Sequence, residues 1–199
     1  MGKKIYEYRG VSGAVYAEVT ADGETFTTGE VKDFTGVSEI AKSTDSSNEP
    51  HYYDNVPAVI VSSTGSDEIT INSSAIPLDI LAEITGQYYD KTTGMMVECE
   101  RDPKYFAFGY RTKTTDGTEI LVWRLKGSFT IPDSDHATED DGTDANGQEI
   151  TYTGISTTHA FTKIGKPAKA VNVDTSLDLV DTTEFFNTVQ TPDTIKAKA

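Results

Sequence analysis

The sequence predicts a mainly β protein, a β-sandwich or barrel with one short flanking α-helix. Three observations carry that prediction. Two Asp-Gly dipeptides, at 22–23 and 116–117, sit between alternating apolar and polar residues, the pattern of strands joined by tight turns. Seven further segments are rich in Val, Ile, Thr, Tyr or Phe, namely 37–41, 58–62, 67–72, 95–100, 148–153, 159–164 and 169–173. Only one stretch, about residues 76–85, repeats apolar residues at helical spacing.

Along the chain, the first hairpin turns at Asp22-Gly23, and a two-residue loop there pairs Val19 with Phe26 and Ala17 with Thr28. After the strand at 37–41 comes "KSTDSSNEPHYYDNVP", residues 42–57, polar and Ser-rich and then aromatic at Tyr52 and Tyr53. It reads as a long loop, and loops of that length are functional or disordered. In "SSAIPLDILAEITG" the residues Ile76, Ile80, Leu81 and Ile84 mark one helical face. Pro77 suits the first turn, Asp79 favours the positive end of the dipole, and Gly86 stops the helix. Ile80 and Leu81 are expected in the core beneath it.

The second Asp-Gly hairpin lies in "YFAFGYRTKTTDGTEILVWRLKGSF". A two-residue loop places Thr112 opposite Leu121, Tyr110 opposite Trp123 and Phe108 opposite Leu125, all on one core-facing side. Arg111, Lys113, Arg124 and Lys126 then share the reverse face, which is either solvated surface or a contact for an acidic neighbour. Residues 133–150, "DSDHATEDDGTDANGQEI", hold Asp133, Asp135, Glu139, Asp140, Asp141, Asp144 and Glu149 without a Lys or Arg. The spacing fails for a standard calcium loop: with Gly142 at the turn, Ala137 takes the first ligand position, and with Gly147 there Gly142 takes it. From Ser176 onward the apolar residues Leu177, Leu179, Val180, Phe185 and Phe186 show no clear period. That end reads as a docking arm or a short final helix.

The whole-chain charge narrows the function classes. The 199 residues fit one domain, and 17 Lys plus Arg against 32 Asp plus Glu leave a formal charge of −15. Passive nucleic-acid binding is disfavoured, because its affinity comes from Lys and Arg displacing phosphate counterions. "MGKKIYEYRG" has no apolar run behind its lysines, and no stretch approaches membrane-spanning length, so synthesis is expected to end in the cytosol without a membrane partner. "NSS" at Asn72 is then a chance glycosylation match.

No catalytic signature is present. G-x-S-x-G, P-loop, G-x-G-x-x-G and H-E-x-x-H patterns are all missing, and His51, His136 and His159 are scattered. Cys99, the single cysteine, has no zinc-spaced partner and reads as a half-buried strand thiol. Neither an enzyme nor a metal or other cofactor is expected.

The order of these features resembles a known family. "FTGVSEI" leads into an extended hairpin, "HYYDNVP" follows, and "DEITINSSAIPLDILAEITG" gives a strand and then the lone helix. "PKYFAFGYRTKTTDGTEILVWRLKGSFTIP" is an aromatic hairpin closing on "KGSF", and "GQEITYTGIS" comes after the acidic stretch. Over roughly residues 30–175 the pattern is similar to the major tail proteins of long, non-contractile-tailed bacteriophages, in the branch common among phages of Gram-positive bacteria. The resemblance implies a virion structural protein with no catalytic residues. On that resemblance it is expected to form a homo-oligomer of hexameric rings stacked into a tail tube, beside a tape-measure protein and the terminator and distal tail proteins, with double-stranded DNA passing through the lumen unbound. The same resemblance implies assembly in the host cytoplasm and a final place in the virion tail.

On that resemblance, residues 1–175 are the tail-tube domain. Residues 42–57 are the ring-stacking loop, with Ser43, Asp45, Asn48, Tyr52 and Tyr53 in contact. Residues 176–199 are a C-terminal arm making contacts through Leu177, Leu179, Phe185 and Phe186. Asp33, Glu39, Asp45 and Glu49 are lumen candidates, because carboxylates facing a duplex repel its phosphates. The competing class is an exported β-sandwich module that binds at a cell surface, weakened by the missing signal sequence.

Overall fold

A computed structural model describes residues 5–136, 138 and 146–198. Its elements in chain order are β1 (Tyr8–Asp22), β2 (Phe26–Thr28), β3 (Lys32–Asp33), β4 (Val37–Tyr53), β5 (Val56–Ser73), α1 (Leu78–Thr85), β6 (Tyr88–Asp90) and β7 (Met95–Val97), then β8 (Phe106–Thr114), β9 (Glu119–Phe129), β10 (Asp133–Ser134), β11 (Gln148–Gly154) and β12 (Ala170–Asp174). The protein is mainly β with one short helix, as the sequence predicts. A large antiparallel sheet runs β2-β1-β8-β9-β11-β5-β4, with β3 added on β1, β10 on β11 and β12 on β9. β6 and β7 form a separate small hairpin.

The sheet curls around one core and carries a second on its outside. Inside, Tyr16, Phe34, Phe106, Phe108, Phe129 and Tyr152 are buried with Ile69, Ile71 and Ile150, and α1 closes the space with Ile84. Phe129 is the hub, its ring centre 5.8 Å from Phe34 and 5.0 Å from Tyr152, in the stacked and edge-on arrangements that aromatic quadrupoles favour. Tyr152 donates its hydroxyl to the Phe106 carbonyl at 2.8 Å, so this deeply buried polar atom is satisfied. Gly127 is required beside it, since a Cβ there would lie 2.4 Å from the Tyr152 ring. Outside, Val15, Ala17, Ala107, Leu121, Trp123 and Leu125 lie under Phe161, Val173, Phe185 and Val189.

This two-sided burial corrects the expected register of the aromatic hairpin. Thr112 pairs with Ile120, Tyr110 with Val122 and Phe108 with Arg124. The loop is one residue longer than two: Thr114 N donates to Thr118 O at 2.9 Å, and Gly117 takes φ +88°. That is the three-residue turn with a left-handed third position. A one-residue slip moves alternate side chains to the other face. Trp123 therefore joins the outer core, and Arg111 and Arg124 lie on opposite faces, so the expected single basic face does not exist.

The first hairpin is also shifted. Val19 pairs with Thr28 and Asp22 with Phe26, with a bulge between Val19 and Ala21. Asp22 is occupied otherwise: it accepts from the Thr158 and His159 amides at 2.8 Å each and from Lys126 Nζ at 2.6 Å. The strand expected at 159–164 is a turn closed by a Phe161–Lys166 bridge, and the one at 95–100 ends at Val97. Cys99 lies beyond that end and is exposed, not a half-buried strand thiol.

Pro77 is the N-cap of α1 and Gly86 its left-handed C-cap at φ 72°, where a Cβ would strike the Asp102 carbonyl at 2.0 Å. Ala82 and Ile84 are the helix's buried apolar residues, whereas Ile80 and Leu81 are only half-buried against the core. Ile76, ahead of the helix, and Ile84 are buried as expected, and the core-facing stripe also takes in Ala82.

The C-terminal residues do not extend as a separate arm. Phe185 is 2% exposed in the outer core, its carbonyl accepts from Trp123 Nε1 at 2.9 Å, and Phe186 packs on Trp123 and beneath the Arg111 guanidinium. Asp193 accepts from the Thr162 and Lys163 amides, pinning the segment to the 161–166 turn. Phe185 and Phe186 thus contact their own chain, because the outer face of β8–β9 is apolar and needs a cover. Leu177 and Leu179 stay exposed.

Candidate assembly surface

Residues 42–57 are not a loop but most of the outward strand and the tip of a long ribbon. β4 and β5 pair from Val37–Ser73 to Tyr53–Val56, and Asp54 and Asn55 make a two-residue turn at φ 52° and 63°. Both central residues of a type I′ turn need positive φ, which Asp and Asn tolerate. The "DN" at 54–55 was the available signal, masked by the polar run before it. β5 pairs with β11 only from Asp67 to Ser73, so beyond that point the ribbon stands as two strands alone. It projects over roughly ten residues, about 33 Å at the usual strand rise.

The ribbon leaves the body at an irregularity, where Asp45 faces Gly65 and Ser66 between the Thr44–Asp67 and Ser46–Thr64 pairs. Just inside it, Arg124 Nη1 donates to Asp67 Oδ2 at 3.0 Å, Lys169 Nζ reaches Asp67 Oδ1 at 3.3 Å, and Thr44 Oγ1 donates to Asp67 Oδ1 at 3.0 Å. This buried ionic knot joins β4, β5 and β9 and the start of β12. Sequence reasoning missed it, because Asp67 and Arg124 are distant in the chain and neither belongs to a motif.

Both faces of the ribbon are open. Ser47 and Ser63 hydrogen-bond across one face, and Ser62 donates to Asn48 Oδ1 at 2.6 Å across the other. Tyr52 and Tyr53 are 62% and 64% exposed near the tip, and Val56, Val59, Ile60 and Val61 on the return strand are at least half exposed. Free strand edges beside exposed apolar side chains are what soluble chains ordinarily avoid. A lone two-stranded ribbon is marginal in water.

The acids predicted for one surface divide. Asp33 lies on β3 against β1, apart from the ribbon, near Arg111 and Phe186. Asp45 sits at the exit, Glu49 opposite Val61 on the ribbon, and Ser43 pairs with Glu68 at its base. Glu39 enters a row that crosses four strands: Asp133 pairs with Glu149, Glu149 with Asn72 and Asn72 with Glu39. These side chains point away from the core, since the neighbouring Ile150 and Ile71 point into it. With Asp135 they line a depression of about 480 Å³, and none of Glu39, Asp133 or Glu149 has a cationic partner among the described residues. Glu139, Asp140, Asp141 and Asp144 lie outside the described residues.

Among the described residues no helix is long and apolar enough to cross a membrane. No protein-family model matches the chain, and no curated protein matches its sequence.

Proposed function

We propose that the chain is a structural subunit of a bacteriophage tail tube, polymerising as stacked hexameric rings around a lumen that conducts double-stranded DNA. The observation that carries this reading is the ribbon. It has two open strand edges and an exposed Val56 to Val61 strand, a design that gains stability when copies pair edge to edge. The sequence resemblance supplies the tube and the ring number. The carboxylate row on the outer sheet face supports a lumen that repels phosphates, with Glu39 and Glu149 its lining residues and Asp45 and Glu49 extending it along the ribbon. Assembly takes place in the host cytoplasm, on initiating tail proteins and a tape-measure protein.

Negative-stain imaging and sedimentation of the purified protein over rising concentration test the reading. The expected result is hollow, regularly striated tubes and no retention of double-stranded DNA even at low salt. A protein that stays monomeric at high concentration and in tail-assembly extracts sinks it, and leaves the exported binding module as the reading to pursue.

A further inference from the structure

The end of the sandwich where the ribbon leaves is not closed. A groove of about 800 Å³ opens there, within the range of roughly 300–1,000 Å³ that encloses a compact ligand. Its walls are apolar and aromatic, with Tyr8, Ile40, Tyr110 and Ile120 among them, and Lys42 and Arg124 add cationic groups. Asp67 answers Arg124, Lys169 and, at 4.0 Å, Lys42, so three cations share one carboxylate. Arg124 Nε is buried with no acceptor among the described residues. Asp174 lines the β12 end, where it already accepts from the Ser176 amide at 2.8 Å.

We propose that this groove receives the Tyr52-Tyr53-Asp54-Asn55 tip of the ribbon of another copy. The tip offers a further carboxylate, Asp54, to cations that share Asp67, and two exposed tyrosines to the aromatic walls. A chain cannot fill its own groove. Lys42 and Thr44 stand at the base of the same ribbon, and straight strands hold the tip about 33 Å from it. The contact is therefore between copies, and it is heterologous, since tip and groove are different surfaces. Such a contact repeats from copy to copy instead of closing a pair. The inference rests on the proposed self-assembly and gives it a specific joint.

The test places a benzoylphenylalanine photocrosslinker at position 53 of the full chain and mixes it with ¹⁵N-labelled unmodified chain under assembly conditions. Crosslinks from the light chain to labelled peptides containing Tyr8, Ile40, Tyr110 or Ile120 are expected. In parallel, Asp54→Asn, which keeps a residue tolerant of positive φ, and Lys42→Gln should each raise the critical concentration for assembly about tenfold, the effect of one lost charged contact. The double variant should be no worse than either alone, because the two remove one interaction. Tubes that form with crosslinks elsewhere, or effects that multiply to about a hundredfold, overturn the groove while leaving the tube intact. Absence of any self-association by the unmodified chain overturns both.

Discussion

Arg124 and Asp67 form a buried ion pair, Nη1 to Oδ2 at 3.0 Å with side chains 9% and 6% exposed, at the point where the β4–β5 ribbon departs from the body. It fixes the ribbon's root to the central strand β9. Removing one partner strands a buried charge. Asp67→Ala is expected to destabilise the protein by about 3–5 kcal/mol, measured by denaturant unfolding. A loss below about 1 kcal/mol would show that water solvates the Arg124 guanidinium at little penalty once the carboxylate is gone.

The helix separates two neighbouring positions. Ile84→Ala empties a buried site and should cost about 2–5 kcal/mol, whereas Leu81→Ala, at a half-buried site, should cost less. Thermal melts of the pair check this, and equal losses would mean the helix is rotated from its described position.

The terminal segment is expected to behave as core. Phe185→Ala should destabilise the fold by about 3–5 kcal/mol and change Trp123 fluorescence, because the backbone carbonyl bonded to the indole shifts with it. An unfolding midpoint that does not move would return residues beyond 176 to the status of a free arm.

The Asp22 clamp predicts a pH dependence. Burial raises its affinity for a proton, but Lys126 and the Thr158 and His159 amides outweigh that and hold the carboxyl below its usual range. A lowered folded value means the stabilisation is complete above the unfolded value of about 3.9 and is lost as pH falls through the folded one. Asp22→Asn should therefore reduce stability at neutral pH by about 1.5–3 kcal/mol and less so in acid. Urea midpoints at pH 7 and near pH 3 measure it, and an equal loss at both excludes the carboxylate as the cause.

Shortening the ribbon separates folding from assembly. A deletion confined to 43–48 removes one strand's residues and leaves their partners unpaired, so the informative change replaces 47–63 by Asn-Gly, which rejoins the Ser46 and Thr64 ends. The monomer should melt within about 0.5 kcal/mol of the parent, as surface changes do, and should form no tubes in negative stain. Tubes of normal diameter from this variant would remove the ribbon from assembly.

By itself the sequence determined the β class, the lone helix with its Gly86 stop, the two turn sites and the acidic balance. All of these are local or compositional: periodicity, turn chemistry and charge are written in adjacent residues. Tertiary structure decided the rest. One extra turn residue at 115–117 reassigned the faces of β8 and β9, so that Trp123 meets Phe185 and Arg124 meets Asp67. The polar 42–57 stretch became a strand because 56–66 pairs with it, and its own side chains give no burial pattern to read. The Asp133–Glu149–Asn72–Glu39 row arises only when four strands take their register. Pairings between residues far apart in the chain depend on which strands close together, and strand alternation fixes a face only after the register is set.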